Sequence, residues 1–411
     1  MVRDFTMANP EYQNLKTCMI MYRLMPETYR RLVVANSITK KYGSVDVLCI
    51  RGDGQPKFEQ QNGMNFYRLP VYYNKKDSII KQLLKYNLFG FFCFIKLAFL
   101  SIRGRYDVIH VHNPPDFLIF AAIPYKLLFG TKIVLDLHDM LPEAFCSNLN
   151  VEEDHIFVKV AKMLERIAIR FSDSVICTNT YDKEIVLSRN RVEDEKVFVV
   201  MNTPDLNLFE VLDERKEQLG LGDQFVLLFE GTVWKRRGIQ TVIDAVKLVQ
   251  SDIPIKFLVV GDGPDLGFLK EYSKKCQVDG SVHFTGWVDL PTLSRYISVS
   301  DLCIIPFLDT NVNRRGVPNK LFEYIVHDKP VLSSRLKGIS RTFNEDEVIF
   351  FEPGNAEDLA NKLRWCYEHR NELLCINQKA KDRYFAEYTW DRMEKELYRS
   401  YDSIAQSVTH S

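Results

Sequence analysis

Residues 313–332 read NRRGVPNKLFEYIVHDKPVL, which predicts a turn, then an amphipathic helix, then a buried strand. The helix begins after Pro318, so Asn319, Lys320 and Glu323 lie in its first turns. Unpaired backbone N–H groups and the positive end of the helix dipole favour an anion at this end. Lys320 adds a positive charge, and Glu323 can accept hydrogen bonds from neighbouring hydroxyls. The stretch therefore suits a diphosphate beside sugar hydroxyls, although an ordinary solvated helix carries similar charges.

The composition is that of a globular protein with more than one domain. The chain has 411 residues, a formal net charge of zero, 46% hydrophobic residues and 26% charged residues. A neutral chain has no general attraction to nucleic acid, so we expect no nucleic-acid partner. The nine cysteines include no Cys-x-x-Cys pair and several lie in apolar segments, which predicts reduced thiols in a cytoplasmic protein. The first twenty residues lack the apolar run of a signal peptide, and we expect none.

Short apolar segments alternate with helical segments in both halves of the chain. Predicted strands include residues 18–22, 44–50, 107–112 and 131–137, and then 224–229, 255–260 and 301–306. This alternation predicts α/β architecture with doubly wound parallel sheets. Such sheets bind their ligands beyond the carboxyl ends of the strands.

Polar residues follow two successive predicted strands in the first half. His112 and Asn113 end the first of these strands, and His138, Asp139 and Glu143 follow the second. The carboxyl ends of parallel strands lie at one edge of a sheet, so these side chains are candidates for a shared site. His138 and Asp139 could instead simply cap the following turn.

A basic loop follows the first predicted strand of the second half. Gly231 permits close approach of the backbone to a ligand, and Lys235 and Arg237 supply charge for a diphosphate. Gly261 lies in the tight GDGP turn after the next strand. The histidines are dispersed in the sequence and form no spaced metal-ligand motif, so we expect no metal.

The segment PNKLFEYIVHDKPVL, residues 318–332, resembles the signature of the family 4 (group 1) glycosyltransferases of GT-B fold. The landmarks LDLHDMLPE, VGDGP and FTGW follow the order of that family, and the resemblance runs from about residue 18 to residue 401. Three places depart from the family. Thr232 occupies the position of the Arg that follows the Gly in the family's donor loop. Arg315 stands where many members carry a second Glu, and the loop at residues 23–27 lacks the usual Gly.

The resemblance implies two Rossmann-like domains facing each other across a cleft. Its expected bounds are 1–202 for an acceptor-binding domain, 203–223 for a linker, 224–390 for a nucleotide-sugar-binding domain, and 391–411 for a helix crossing back. It implies catalytic roles for His138 and Asp139 and an acceptor side formed by His112, Asn113 and Glu143. The donor-binding residues that it implies are Gly231, Lys235, Arg237, Gly261, Asn319, Lys320, Leu321 and Glu323.

The implied reaction moves a sugar from a nucleotide-diphosphate sugar to a hydroxyl of a glycan or lipid-linked saccharide, with retention of configuration and without a metal. Its expected setting is polysaccharide or glycoconjugate biosynthesis in the cytoplasm. Two alternatives remain on the same fold: a nucleotide-sugar 2-epimerase, and a catalytically silent nucleotide-binding scaffold. A P-loop kinase is disfavoured because the sequence has no G-x-x-x-x-G-K-[ST] motif.

Residues 73–105 combine an apolar centre, LFGFFCFIKLAFL at residues 88–100, with basic flanks and a single acid, Asp77. Lys96 and Gly90 interrupt the run, which is shorter than the ~20 residues that span a bilayer. The sequence leaves two interpretations. The segment is either a core helix with basic flanks, or an amphipathic helix resting on the anionic inner face of the cell membrane.

Overall fold

The computed structural model describes residues 14–26, 29–74, 77–149, 151–204 and 216–405. The chain divides into two compact units. One consists of residues 1–178, 182–201 and 391–411, and the other of residues 179–181 and 202–390. Most of the expected linker, residues 203–223, lies outside the described residues.

The first unit is built on an eight-stranded sheet of order β3-β4-β2-β1-β5-β6-β7-β8 within the described residues. All neighbours pair in parallel except β3, which runs antiparallel to β4. The strands are β1 (Thr17–Met21), β2 (Val45–Ile50), β3 (Phe58–Gln61), β4 (Met64–Leu69), β5 (Val108–His112), β6 (Lys132–Leu137), β7 (Ser174–Cys177) and β8 (Val197–Val199).

Helices connect the parallel strands. They are α1 (Tyr29–Tyr42), α2 (Ile79–Ile102), α3 (Ile123–Phe129), α4 (Leu141–Leu149), α5 (Ile156–Phe171) and α6 (Thr180–Asn190), with a 3₁₀ helix at Asp116–Ala121 before α3. From β4 onward each parallel connection steps in the same direction along the sheet. Right-handed crossovers then put α2, α3, α5 and α6 on one face, opposite α1, which steps the other way.

The second unit has a six-stranded sheet of order β11-β10-β9-β12-β13-β14, parallel throughout its named strands. The strands are β9 (Phe225–Glu230), β10 (Ile255–Val260), β11 (Val282–Gly286), β12 (Leu302–Ile305), β13 (Val331–Ser334) and β14 (Ile349–Phe351). The helices are α7 (Ile239–Val249), α8 (Leu266–Lys275), α9 (Leu290–Val299), α10 (Asn319–Val326), α11 (Lys337–Ser340), α12 (Ala356–Glu368) and α13 (Arg370–Arg383), followed by a π-helical turn at Tyr384–Tyr388.

The last helix, α14 (Trp390–Ala405), packs on α1 in the first unit. Ser37 Oγ donates to Glu394 Oε1 over 2.6 Å, and Tyr42 OH donates to Asp402 Oδ1 over 2.7 Å. The rings of Tyr42 and Tyr401 stack with centroids 5.3 Å apart. This helix therefore completes the α1 side of the first unit.

The prediction of doubly wound parallel sheets is confirmed, with three local differences. The polar segment at residues 51–63 contains β3, which pairs only at the sheet edge and so carries little apolar signal. The polar helix α13 was not predicted because it buries few side chains, among them Leu373 and Ala380.

The apolar segment of residues 73–105 forms a longer helix than expected. α2 has 24 residues, and Lys81–Ile102 is long and apolar enough to cross a membrane by length and composition alone. The prediction of a run too short for a bilayer is wrong because Lys96 and Gly90 continue the helix instead of ending it. The inward face of α2, with Phe89, Cys93 and Leu97, belongs to the apolar core of the first unit.

Candidate active site

Three histidines and one carboxylate meet at the carboxyl ends of β5 and β6. His112 pairs with Asp136 in the strand register, and His138 follows directly after β6. His112 Nδ1 lies 3.0 Å from His138 Nε2 and 3.2 Å from Asp136 Oδ2. His138 Nε2 lies 3.4 Å and His110 Nε2 3.8 Å from the same Asp136 oxygen. The rings of His110 and His112 stack with centroids 4.2 Å apart, so histidines that are separate in the sequence form one cluster.

The charge state of this histidine cluster (His110, His112, Asp136 and His138) follows from its burial. Burial, followed by the neighbouring His110, lowers the pKa of His112 to about 3, although Asp136 opposes the shift. Burial also lowers the pKa of His138 well below its ordinary value, against the attraction of Asp136. Burial alone would raise the pKa of Asp136, but the neighbouring Arg30 guanidinium holds it well below the usual range. At neutral pH the imidazoles of His112 and His138 are therefore neutral, and the Asp136 carboxylate beside them is ionised.

Arg30 and Arg31 on α1 border the histidine cluster, and neither was singled out from the sequence. Arg30 Nη2 lies 3.5 Å from Asp136 Oδ1, and Arg31 Nη2 donates to the Asn113 carbonyl over 3.2 Å. Burial lowers the pKa of Arg31 to about 10. The buried Nε and Nη1 of Arg30 have no hydrogen-bond partner among the described residues. The sequence signal that could have found them is an Arg-Arg pair at the start of the helix that follows the first strand. The N-terminus of such a helix lies at the ligand-binding edge of the sheet.

Asn113 holds the loop after β6 in place. Its Oδ1 accepts hydrogen bonds from the backbone N–H groups of His138 (2.6 Å) and Asp139 (3.2 Å). Its Nδ2 donates to the Asp139 carbonyl (2.6 Å) and to Asp116 Oδ1 (2.7 Å). With both ends of its amide engaged, Asn113 acts as a positioning residue rather than a free contact for a ligand.

Two other predicted residues of the first unit have different surroundings. Asp139 has an exposed side chain, and only its backbone joins the Asn113 network. Glu143 forms an ion pair with Arg189, which also lies 3.1 Å from the buried Glu165. The Glu143 carboxylate is therefore held by Arg189 of α6, and Arg189 also binds Glu165 of α5.

In the second unit two glycines bring the ends of β9 and β10 into direct contact. Gly231 has φ of 118° and Gly261 has φ of 145°, both in the region that favours glycine. A Cβ at Gly261 would overlap the Gly231 carbonyl oxygen, and a Cβ at Gly231 would overlap Lys320 Nζ. Only glycine fits at either position, and the bare backbone there borders a lysine ammonium group.

Lys320 and Glu323 come from the first turns of α10, as predicted. Lys320 Nζ donates to the Glu230 carbonyl and lies 3.1 Å from its Oε1. Burial, with a further contribution from Glu230, raises the pKa of Glu323 to about 7. Two carboxylates thus lie near one ammonium group, and Glu230 was missed because it is the last residue of β9 and was assigned to the loop.

The remaining predicted donor residues have different surroundings. The Arg237 guanidinium lies 4.1 Å from the Phe307 ring centroid, and burial lowers its pKa to about 10. Lys235 and Asn319 are exposed. Leu321 is fully buried, so its side chain packs in the core and only its backbone could face a ligand. The predicted contact of Leu321 with the donor stays a prediction, and it concerns the backbone of this residue.

Two family models match the chain. Glycosyltransferase Family 4 covers residues 33–208, and Glycosyl transferases group 1 covers residues 224–369. The chain belongs to the family 4, group 1 glycosyltransferases. The family predicted from residues 318–332 is thereby confirmed, and the protein is a glycosyltransferase of glycoconjugate biosynthesis.

Relatives of this glycosyltransferase extend over most of its length. An uncharacterized glycosyltransferase of Methanocaldococcus jannaschii is 24% identical over 405 residues, covering 94% of this chain and 98% of the relative. The UDP-Gal:alpha-D-GlcNAc-diphosphoundecaprenol alpha-1,3-galactosyltransferase of Escherichia coli is 26% identical over 66% of this chain and 68% of its own.

Solved structures show the same fold. Sucrose-phosphate synthase from Thermosynechococcus elongatus superposes with a TM-score of 0.75 at 16% identity, over 96% of this glycosyltransferase and all of that chain. HepE from Anabaena, solved with UDP, gives a TM-score of 0.68 at 15% identity over 95% of this chain and all of its own. The predicted GT-B fold is confirmed.

Proposed function

We propose that this glycosyltransferase transfers a hexose from a nucleoside-diphosphate sugar to a hydroxyl of a glycan or lipid-linked saccharide. The observation that carries the proposal is the arrangement of Gly231, Gly261, Lys320 and Glu323 in the second unit. Bare backbone at two crossing loops admits a bulky anion, and Lys320 supplies a positive charge beside it. Glu323 supplies an acceptor for the ribose hydroxyls one turn further along α10.

Uridine diphosphate sugars are the donors to test first. HepE has been solved with UDP and with UDP-glucose, and the Escherichia coli relative is named for UDP-Gal. The Methanocaldococcus and Escherichia coli relatives are named as transferases and the Thermosynechococcus structure as a synthase, which gives the epimerase alternative no support.

The chemistry follows from where charge develops. The bond between the anomeric carbon and the donor phosphate breaks, and the electron pair leaves with the nucleoside diphosphate. Lys320, Arg237 and the N-terminal end of α10 stabilise this negative charge. The acceptor oxygen forms the new glycosidic bond on the same face of the sugar, and its proton passes to the departing phosphate. Configuration is then retained, and no protein side chain has to act as general base.

The first unit is proposed to bind the acceptor. His138 is neutral, so it can donate or accept a single hydrogen bond to an acceptor hydroxyl. Its Nε2 already contacts His112 and Asp136, which fix the ring orientation. Arg30 offers two buried donor nitrogens, Nε and Nη1, with no partner among the described residues, and these suit a phosphate or hydroxyl group of the acceptor.

The reaction is proposed to need no metal. Among the described residues, His110, His112 and Asp136 bring one ligand atom each within 4.8 Å of one another, close enough to hold an ion. However, Arg30 lies 3.5 Å from Asp136 and already supplies the positive charge that a metal would bring. Asp136 then orients the neutral rings of His112 and His138 and does not coordinate a metal ion.

The experiment is a panel of nucleotide sugars incubated with purified protein, with and without a bacterial lipid extract, scoring nucleoside diphosphate and product mass. Release that depends on acceptor is the expected result. Donor conversion without acceptor would instead establish an epimerase, and nucleotide binding without turnover would establish a silent scaffold.

A further inference from the structure

We propose that the outer surface of α2, the 3₁₀ helix at residues 116–121, α3 and α5 docks onto an anionic lipid bilayer. We call this surface the outer helical face. It goes beyond the proposed reaction, since it concerns where the protein binds rather than what it transfers.

The outer helical face is unusually apolar. Most of the large hydrophobic side chains that are exposed in the described chain lie on these four helices, whereas the second unit exposes few. On the outer helical face the most exposed are Ile102 (81%), Leu128 (73%), Leu127 (70%), Leu84 (65%), Phe99 (64%) and Ile156 (62%). Soluble monomers rarely leave so many large apolar groups together in water, so this surface is built to meet an apolar environment.

The four helices form one continuous surface. Right-handed crossovers place α2, α3 and α5 on the same side of the sheet. Their inward side chains enter one apolar core, to which α2 gives Phe89, the 3₁₀ helix Leu118 and α5 Ile169. Tyr125 OH on α3 donates to the Phe94 carbonyl on α2 over 2.9 Å, which joins neighbouring helices directly.

The charges on these helices identify the occupant. α2 carries three lysines, α3 one lysine, and α5 two lysines and two arginines. In these three helices the only acid is Glu165, which is buried and paired with Arg189. Lys85, Lys126 and Lys162 pair with Asp77, Asp173 and Glu153 just outside the helices. The other basic residues leave a local excess of base in a chain of zero net charge. A surface that joins exposed apolar groups to basic residues matches the interface of a bilayer with anionic headgroups.

The fold requires α2 to lie along a membrane rather than cross it. β4 precedes α2 and β5 follows it, and both strands belong to the same sheet. A spanning helix would put these strands on opposite sides of the bilayer. It would also withdraw Phe89, Cys93, Leu97 and Leu100 from the core. The 24 residues of α2 therefore lie parallel to the membrane surface and contact it along the helix.

The test is flotation of the full-length protein with vesicles of phosphatidylcholine alone or mixed with phosphatidylglycerol, at low and high salt. We expect co-flotation with the anionic vesicles that weakens as salt rises. The double variant Leu127→Asp with Leu128→Asp should reduce binding by about tenfold or more. The matched control is Leu374→Asp on α13, where the original leucine is also 61% exposed, and its binding should equal that of the wild type.

A second variant tests the charge separately and disturbs no apolar packing. Lys159 and Arg166 are exposed on α5, and Lys159→Glu with Arg166→Glu should abolish the preference for anionic over zwitterionic vesicles. Wild-type protein that fails to float, or variants that float as well as it does, would overturn the proposal. A stable dimer that is lost in the Leu127/Leu128 variant, without vesicle binding, would assign the face to a second copy instead. Flotation needs no turnover, so its outcome is independent of the donor assay.

Discussion

Tyr401 on the last helix contacts His110 on β5, with its hydroxyl 2.8 Å from His110 Nδ1. Both side chains are fully buried. His110 in turn stacks on His112, whose Nδ1 contacts His138 Nε2. A residue of α14 thus fixes the first ring of a series that ends at the proposed acceptor contact.

Replacing Tyr401 by Phe should disturb this series without changing the apolar packing. His110 Nδ1 would lose its partner, which costs about 1 to 3 kcal/mol of unfolding free energy. We expect a lower kcat with an unchanged KM for the donor, measured alongside urea denaturation. Tyr398→Phe on the same helix is the control, because its hydroxyl donates to the Ser37 carbonyl away from the cluster. Equal effects of the two variants would show that Tyr401 has only a structural role.

Glu323→Ala should cost about 2 to 4 kcal/mol of transition-state stabilisation, as is typical of one preorganised polar contact. The loss should appear in kcat/KM for the donor at saturating acceptor. Glu357→Ala, in the first turn of α12, serves as a control for removal of an acid from the same unit. Activity of Glu323→Ala close to wild type would remove this residue from the donor site.

The donor reaction should depend on pH through Glu323. Burial raises the pKa of Glu323 to about 7, so the side chain is protonated below that pH and ionised above it. The ionised carboxylate accepts hydroxyl hydrogen bonds more strongly than the protonated acid does, so kcat/KM for the donor should rise from about pH 6 to about pH 8. Glu323→Gln should flatten this profile. Asp116, whose pKa burial also raises to about 7, provides the control Asp116→Asn, in which the pH dependence should persist.

Gly261→Ala should both destabilise the second unit and impair donor binding. The new Cβ would overlap the Gly231 carbonyl oxygen, and the φ of 145° is strained for any other residue. We expect at least about 2 kcal/mol lower unfolding free energy. Gly267→Ala on α8 is the matched control, because its Cβ meets nothing within 4 Å and alanine favours the helix by roughly 0.5 to 1 kcal/mol.

Chelation should leave turnover unchanged. With Arg30 supplying positive charge next to Asp136, prolonged dialysis against EDTA should alter kcat by less than about twofold, well within one tenfold step of about 1.36 kcal/mol. Loss of activity that returns with a single added divalent ion would assign His110, His112 and Asp136 as its ligands.

The sequence predicted the features whose signal is local. Alternating apolar segments defined most of the parallel strands, and Lys320 and Glu323 were found because a helix start has a recognisable pattern. Gly231 and Gly261 were found as turn residues, but their mutual contact depends on the pairing of β9 with β10.

What the sequence did not show depends on contacts between distant segments. Asp136 looks like a strand residue until the register places it opposite His112. The contact of Arg30 with Asp136 depends on α1 lying at the end of β6, and the ion pair of Glu143 with Arg189 joins residues 46 positions apart. The apolar outer surface of α3 was also hidden, since a short run such as Leu127-Leu128 is usual in a buried helix.

The return of α14 to the first unit sets an order for biosynthesis. The ribosome must complete the whole second unit before residues 391–405 emerge. Until then, His110 lacks Tyr401 and α1 lacks its cover from Glu394 and Asp402. The second unit can therefore fold during translation, whereas the first unit, which carries the histidines, reaches its final form last.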